Sequence, residues 1–225
     1  MILDSSGILK LEYDAPDLDI EELRRYTKTV ENTSEEIETL LMESVNELMP
    51  ELKYCIVCRK IQKENFELLG LNDIDYLNDA EMCILFGATI GIGPDRLINR
   101  YSRISPSKAF LFQGIGTERV ESLCNKFQEE VRKEAESNGF EIKPRISPGY
   151  GKFELSFQTK LFQILELQKR AGITLNESLL MTPSKSVTAV VPLFKKEAGK
   201  CPENFESAFG CENCSKTECL FKSNR

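Results

Sequence analysis

Apolar and polar residues alternate in several parts of the chain, and this pattern predicts strands. Residues 8–13 alternate as expected for a strand with one buried face. Residues 54–59 and 81–86 are rich in β-branched and other apolar side chains, and we expect strands there as well. Residues 175–181 and 186–191 are predicted to be strands around a Thr-Pro-Ser-Lys turn.

Two early segments carry the 3.6-residue period of helices. A short helix is predicted over residues 19–26, where acidic side chains suit a helix N-terminus. A longer helix is predicted to begin after Thr33 or Ser34 and to end at Pro50, and Thr33 and Glu36 have the spacing of a capping box. Its apolar face consists of Ile37, Leu40, Leu41, Val45, Leu48 and Met49.

The longest helical signal covers residues 106–138. We expect Gly114 and Gly116 to interrupt it, so that Thr117 caps a second helix. Gly139 stands where this second helix should end. The apolar face of the second part consists of Val120, Leu123, Cys124, Phe127 and Val131.

Helices and strands follow one another without a regular strand–helix–strand rhythm. Another core helix is predicted over residues 157–171, and Gly172 marks its end. The mixture predicts an α+β fold with a largely antiparallel sheet and flanking helices. The composition becomes polar and cysteine-rich near the C-terminus, so we expect an α+β domain over residues 1–195 and a Cys-rich tail over residues 196–225.

Composition narrows the possible functions of the chain. With 225 residues, of which 41% are hydrophobic, the chain is long enough for a sizeable core. Neither an apolar run of membrane-spanning length nor a signal-peptide pattern occurs, so a cytoplasmic protein without membrane attachment is expected. The net charge of -7 argues against nucleic acid as a partner. Histidine is absent, which excludes Ser-His and Cys-His nucleophile pairs and imidazole metal ligands.

A glycine-rich segment over residues 87–93 suggests one alternative function. It follows a predicted strand and precedes a helical stretch, as dinucleotide-binding glycines do, and its spacing is similar to the short-chain dehydrogenase fingerprint. Pro94 interrupts the helix entry, and the Tyr-x-x-x-Lys pair of that family does not occur. An NAD(P)-dependent oxidoreductase is therefore only a third hypothesis.

Cysteines offer two candidate metal sites of different quality. Cys55 and Cys58 form a C-x-x-C inside a predicted strand, where their side chains point to opposite faces, so a structural role is favoured. The tail holds Cys201, Cys211, Cys214 and Cys219, whose four thiolates suit zinc or an iron–sulfur cluster. The alternative for the tail is a set of reduced thiols without metal.

The segment 145–151, Arg-Ile-Ser-Pro-Gly-Tyr-Gly, is the best candidate for a small-molecule site. Arg145 offers a planar fork for a carboxylate. Ser147 and Pro148 shape a turn, Gly149 permits close approach, and Tyr150 adds a ring with one polar end. The alternative is a plain Pro-Gly turn between a strand and a helix.

Several segments together resemble the activation domain of cobalamin-dependent methionine synthase, in its stand-alone bacterial form. Residues 145–151 match the family's Arg-x-x-x-Gly-Tyr, and residues 175–189, Leu-Asn-Glu-Ser-Leu-Leu-Met-Thr-Pro followed by Ser-Lys-Ser-Val-Thr-Ala, match a second block. Residues 87–91, residues 116–123 and the C-x2-C-x4-C tail are similar to stand-alone members. The resemblance covers nearly the whole chain.

The resemblance implies a site for S-adenosylmethionine beside a surface that docks the cobalamin module of methionine synthase or of another corrinoid protein. By this analogy Arg145 binds the methionine carboxylate, Ser147, Pro148, Gly149 and Tyr150 shape the pocket, and Glu121 is a polar partner of the ligand. Glu121 also has a plainer explanation, because a carboxylate near the start of a helix is favoured by the helix dipole. No catalytic residue is assigned.

The chain is then expected to be the methyltransferase component that restores methylcobalamin from cob(II)alamin. The reaction uses a methyl group from S-adenosylmethionine and one electron from a donor such as flavodoxin or ferredoxin. The family's further ligand-binding tyrosine has no counterpart here, and the cobalamin module is absent. The chain is therefore not expected to complete methionine synthesis alone. The second hypothesis is a non-enzymatic metal-binding interaction module centred on the tail.

Overall fold

The structure is a computed structural model, and it describes residues 2–5, 7–30, 34–72 and 74–196. The strands are β1 (Ile8–Tyr13), β2 (Tyr54–Gln62), β3 (Met82–Thr89), β4 (Phe140–Ile142), β5 (Thr174–Leu175), β6 (Met181–Thr182) and β7 (Ser186–Lys195). The α-helices are α1 (Ile20–Thr27), α2 (Glu35–Leu48), α3 (Phe66–Leu69), α4 (Gly93–Ile104), α5 (Pro106–Ser137), α6 (Phe157–Leu165) and α7 (Leu167–Ala171). Thr33 and the tail cysteines lie outside the described residues, so the predicted capping box and metal site are not seen.

A five-stranded sheet in the order β1-β2-β3-β7-β4 forms the centre of the described chain. Every neighbouring pair is antiparallel. The short strands β5 and β6 form a separate antiparallel pair. The predicted α+β class with an antiparallel sheet is therefore confirmed.

Helices cover both faces of this sheet because its central strands are apolar on both sides. Helix α5 packs on one face, where Cys58 and Phe86 meet Phe127. Helices α3, α6 and α7 pack on the other, where Cys55 and Leu85 lie. The two cysteines of the C-x-x-C therefore belong to different faces, as predicted. A third apolar cluster joins α1, α2 and α4 to the first half of α5.

Helix α5 is continuous, and the predicted break at Gly114 and Gly116 is wrong. The hydroxyl of Thr117 donates to the Gln113 carbonyl oxygen at 2.9 Å, four residues earlier in the same helix, instead of capping a new one. The two glycines serve packing: a Cβ on Gly114 would lie 2.7 Å from Thr27 Cγ2 of α1. Glycine here allows helices to approach closely rather than to stop.

Gly87 lies inside β3 rather than in a loop. A Cβ at this position would stand 2.6 Å from Leu167 Cδ2, so glycine makes room for α7 against the sheet. A glycine within an antiparallel strand does not cradle a phosphate at a helix N-terminus, and the sheet lacks the parallel strands of dinucleotide-binding folds. The dehydrogenase hypothesis is wrong on both counts.

Two further predictions need correction. The predicted strand 175–181 is two short strands joined by a turn, in which Asn176 Oδ1 accepts the Leu180 N–H at 2.8 Å. The predicted helix 157–171 divides at Glu166, which has a φ of 50° and separates α6 from α7. Among the described residues, no helix combines the length and the apolar character that crossing a bilayer requires.

Candidate functional site

A register shift between β4 and β7 determines where Arg145 points. Ile142 pairs with Leu193, but Ile146 pairs with Val190 through two backbone hydrogen bonds of 2.9 Å. Residues 143–146 thus lie opposite residues 190–192, so the first segment has one residue more, as in a β-bulge. Ile146 and Val190 face the α6 side of the sheet. Without the extra residue Arg145 would stand opposite Val190; with it, Arg145 contacts α5 on the other face.

The Arg145 guanidinium makes three contacts with α5. Its Nη2 donates to Glu121 Oε2 at 2.7 Å, and its Nη1 donates to Asn125 Oδ1 at 2.8 Å and Gln128 Oε1 at 3.4 Å. The Gln128 side chain also accepts the Arg145 backbone N–H at 3.0 Å. The Arg145 side chain is 18% exposed and that of Glu121 is 37% exposed. The pair therefore lies at the surface, with its arginine largely covered.

Arg145 keeps hydrogen-bonding capacity after these contacts. A guanidinium carries five N–H donors. Three are used within the described residues, which leaves the Nε hydrogen and one Nη2 hydrogen. The Nε and Nη2 atoms form one edge of the guanidinium, and such an edge can bind a carboxylate through two parallel hydrogen bonds.

A tight turn follows Arg145. The Tyr150 N–H donates to the Ser147 carbonyl oxygen at 3.2 Å, with Pro148 second and Gly149 third in the turn. Gly149 has a φ of 93°, so the turn has the features of type II, which requires this residue to take a positive φ. The predicted Pro-Gly turn is therefore present, with Pro148 buried and Gly149 exposed.

The turn presents its tyrosine to solvent. The Gly149 N–H donates to the Phe153 carbonyl oxygen at 2.7 Å, so this amide and that of Tyr150 are both used inside the loop. The Leu155 side chain packs against this turn, and its Cδ1 would lie 3.4 Å from a Cβ placed on Gly149. The Tyr150 side chain is 70% exposed. What this loop offers a ligand is the ring, rather than these two peptide amides.

Two other groups border the same face of α5. Lys185, just before β7, donates from Nζ to Thr117 Oγ1 at 3.0 Å, one helical turn before Glu121. Burial lowers the pKa of Lys185, against an opposing attraction from Asp95. On α1, burial and then the negative charge of Glu121 raise the pKa of Tyr26, whose ring lies 4.3 Å from the Arg25 guanidinium carbon.

The structure thus brings two of the predicted residues together, Arg145 with Glu121, and places the turn 147–150 directly after them. Sequence reasoning missed Asn125 and Gln128. Their spacing of four and seven residues from Glu121 puts all three on one helical face, and this signal was available. It also missed Lys185, whose position depends on how β7 meets α5.

No group of three or more potential metal ligands occurs in the described part of the chain. The four predicted tail ligands, Cys201, Cys211, Cys214 and Cys219, lie beyond it. The tail metal site therefore stays a prediction.

Comparison with known proteins gives two matches. A sequence model of the family described as vitamin B12 dependent methionine synthase, activation domain, matches residues 30–199, more than half of the chain. Among solved structures, the MetH reactivation domain bound to AdoHcy is 17% identical, with a TM-score of 0.57, and the match covers 87% of this chain and 80% of that chain. At this identity the likeness establishes the fold alone. No curated protein sequence matches the chain.

Proposed function

Because the chain belongs to the vitamin B12-dependent methionine synthase activation domain family, we propose that it binds S-adenosylmethionine and supports reductive methylation of cob(II)alamin. The cobalamin would be held by a separate methionine synthase or a related corrinoid protein. The chain is then one component of a methyltransferase system and does not complete methionine synthesis alone.

Arg145 is proposed to bind the carboxylate of the methionine moiety. Its Nε hydrogen and one of its two Nη2 hydrogens are not used by the described residues, and these two nitrogens form an edge that can bind a carboxylate. Asn125, Gln128 and Glu121 hold the guanidinium in place, so little side-chain entropy remains to be lost on binding. Glu121, about one-third exposed, is suited to attract the ligand's ammonium group. This pre-oriented guanidinium is the observation that carries the proposal.

Tyr150 is proposed to lie against the sulfonium. A tyrosine face attracts a cation, and the charge of S-adenosylmethionine is on the sulfur that carries the reactive methyl. The exposed ring stands on a turn stabilised by Pro148, Gly149 and the contact with Phe153. This turn would position the methyl group toward a partner rather than toward the chain's own core.

The partner would dock over exposed apolar side chains near this turn. Tyr150, Leu155 and Leu180 are 70%, 44% and 64% exposed. Gln158 at the start of α6 donates to the Leu179 carbonyl oxygen at 3.2 Å, which ties Leu180 to the same region. The partner's corrin would accept one electron, from flavodoxin, ferredoxin or another donor, and then the methyl group, leaving S-adenosylhomocysteine.

Titration calorimetry of the full chain with S-adenosylmethionine and S-adenosylhomocysteine tests the ligand assignment. Arg145→Ala should weaken binding by about 2 kcal/mol or more, which is roughly 30-fold, because a charge-assisted contact is lost. Arg132→Ala is the matched control, since Arg132 also pairs with a glutamate on α5 but is 42% exposed and lies outside the site. Arg132→Ala should bind like the unmodified chain.

The absence of binding by the unmodified chain, with and without a cobalamin-loaded partner, would refute the proposal. Equal affinities for Arg145→Ala and Arg132→Ala would refute the role of Arg145 alone. The alternative function, a metal-binding interaction module, is distinguished by metal analysis and a visible spectrum of the purified chain. A brown cluster would favour electron delivery, and zinc would favour a structural role for the tail.

A further inference from the structure

Lys185 packs against a glycine of helix α5. Its side chain crosses α5 at Gly116, where an added Cβ would lie 3.1 Å from Cγ, 3.2 Å from Cε and 3.3 Å from Cδ of the lysine. Its Nζ then reaches Thr117 Oγ1 at 3.0 Å. A glycine in the middle of a long helix costs about 1 kcal/mol relative to alanine, so its presence under the lysine calls for a packing reason.

The lysine stands at one end of a polar stripe, and Arg145 stands at the other. Thr117, Glu121, Asn125 and Gln128 project from one face of α5, because they are four, four and three residues apart. With a rise of 1.5 Å per residue, Thr117 lies about 6 Å from Glu121 and about 12 Å from Asn125 along the helix axis. Glu121 and Asn125 bind Nη2 and Nη1 of Arg145, so the lysine lies one to two helical turns from the guanidinium.

Helix α1 forms a wall beside this stripe. It packs against α5 at Gly114, where an added Cβ would lie 3.0 Å from the Tyr26 carbonyl carbon and 3.0 Å from the Thr27 backbone nitrogen. Tyr26 is half-buried and its pKa is raised by burial and by Glu121. The Arg25 guanidinium carbon lies 4.3 Å from the centre of the Tyr26 ring, so a cation already covers one face of this ring.

The amine of Lys185 has donors to offer a ligand. Of its three N–H groups, one binds Thr117 within the described residues. Thr117 donates its own proton to the Gln113 carbonyl oxygen, so it acts toward the lysine only as an acceptor. Asp95, which accepts the Ser184 N–H at 3.1 Å, also attracts the Lys185 amine. Since the lysine's charge is partly balanced, a neutral acceptor suits it as well as an anion does.

We propose that Lys185, with Thr117, forms the nucleoside subsite of the S-adenosylmethionine site. The lysine donates to a ribose hydroxyl oxygen or a purine nitrogen while Arg145 binds the carboxylate at the far end. This inference rests on the proposed function and adds to it the direction in which the ligand lies along α5.

Two variants and two ligands separate the ends of the site. The ligands are S-adenosylhomocysteine and 5′-methylthioadenosine, which has the nucleoside but no amino acid carboxylate. Lys185→Met keeps the length of the stem and removes the donors, and it should weaken both ligands about tenfold or more. Arg145→Ala should weaken S-adenosylhomocysteine and leave 5′-methylthioadenosine unchanged. Lys133→Met, on an exposed part of α5, is the control and should leave both affinities unchanged.

Gly116→Ala is a second variant that keeps the lysine. Its Cβ would displace the Lys185 stem by a few tenths of an ångström, so it should also weaken binding of 5′-methylthioadenosine without lowering the thermal unfolding midpoint. The subsite is refuted if Lys185→Met and Gly116→Ala bind 5′-methylthioadenosine like the unmodified chain. It is equally refuted if the unmodified chain binds S-adenosylhomocysteine but has no measurable affinity for 5′-methylthioadenosine. Both of these outcomes leave the proposed function standing, whereas no binding of S-adenosylhomocysteine by the unmodified chain refutes both.

Discussion

Replacing Gly114 by alanine sets two effects on helix α5 against each other. In an isolated helix the substitution stabilises by about 1 kcal/mol, because glycine has the larger backbone entropy when unfolded. In the folded chain the new Cβ would lie 2.7 Å from Thr27 Cγ2, 3.0 Å from the Thr27 nitrogen and 3.0 Å from the Tyr26 carbonyl carbon. Two of these three atoms are backbone of α1, which cannot move by a change of rotamer.

The collision should outweigh the propensity gain. Overpacking a fitted interface costs about 1–3 kcal/mol, and the backbone contacts at Gly114 place the cost in the upper half of that range. We therefore expect Gly114→Ala to lower the free energy of unfolding by about 1–2 kcal/mol. Gly116→Ala meets only the flexible stem of Lys185, so it should keep most of its propensity gain and be as stable as the unmodified chain, or more stable by up to about 1 kcal/mol.

Urea unfolding followed by circular dichroism measures both variants, and the midpoints should fall in the order Gly116→Ala, unmodified chain, Gly114→Ala. In thermal unfolding, 1 kcal/mol corresponds to about 2–4 °C for a domain of this size. A Gly114→Ala chain more stable than the unmodified one would refute the close α1–α5 contact. It would restore the interpretation in which Gly114 is simply a poor helix residue.

Two further outcomes are expected. Arg119→Met should destabilise the fold by about 3–5 kcal/mol in urea unfolding, because it leaves the fully buried Glu118 carboxylate without its cation, whereas Arg132→Met, at an exposed pair, should cost no more than about 1 kcal/mol. Burial raises the pKa of Cys58 and of Cys124 from 9.0 to about 12 in the folded chain. As the pH rises above 9, the unfolded chain loses these protons before the folded chain does. The stabilisation that each thiol gives below pH 9 should therefore be lost progressively toward pH 12. At pH 10 the free energy of unfolding should have fallen by on the order of 1 kcal/mol per thiol. Unfolding at pH 8 and pH 10, compared with Cys58→Ala and Cys124→Ala chains, checks the sign, and equal losses of stability in all three chains would contradict it.

The sheet could be predicted from the sequence because its strands are specified by local composition. β1, β2 and β3 were all predicted, and the alternation of side chains placed Cys55 and Cys58 on opposite faces before any pairing was known. The turn at Pro148 and Gly149 was predictable for the same reason, since it depends on the backbone preferences of two adjacent residues. Where the extent of an element depends on its neighbours, as for the glycine inside β3, the prediction was wrong.

The glycines of α5 illustrate that limit. A local rule treats two glycines separated by one residue as a break, because each lowers helix propensity. In the folded chain Gly114 faces α1 and Gly116 faces Lys185, and neither neighbour is close in sequence. The packing of α1 and of Lys185 on this helix therefore overrides a local penalty of about 2 kcal/mol in total. A single sequence does not contain the information needed to choose between these explanations.

The candidate site depends both on local sequence preferences and on packing between distant elements, and this explains which of its parts could be predicted. Arg145 was identified from its own motif, but its orientation depends on one extra residue between two pairings of β4 with β7. A hydrophobic pattern specifies which residues face inward; it does not specify which residue of one strand stands opposite which residue of the next. If the register were regular, Arg145 would point toward the apolar α6 face and the three polar residues of α5 would have no cation. The same motif would then remain in the sequence while the carboxylate-binding edge was lost, so the proposed activity depends on the register of this edge strand as much as on the arginine itself.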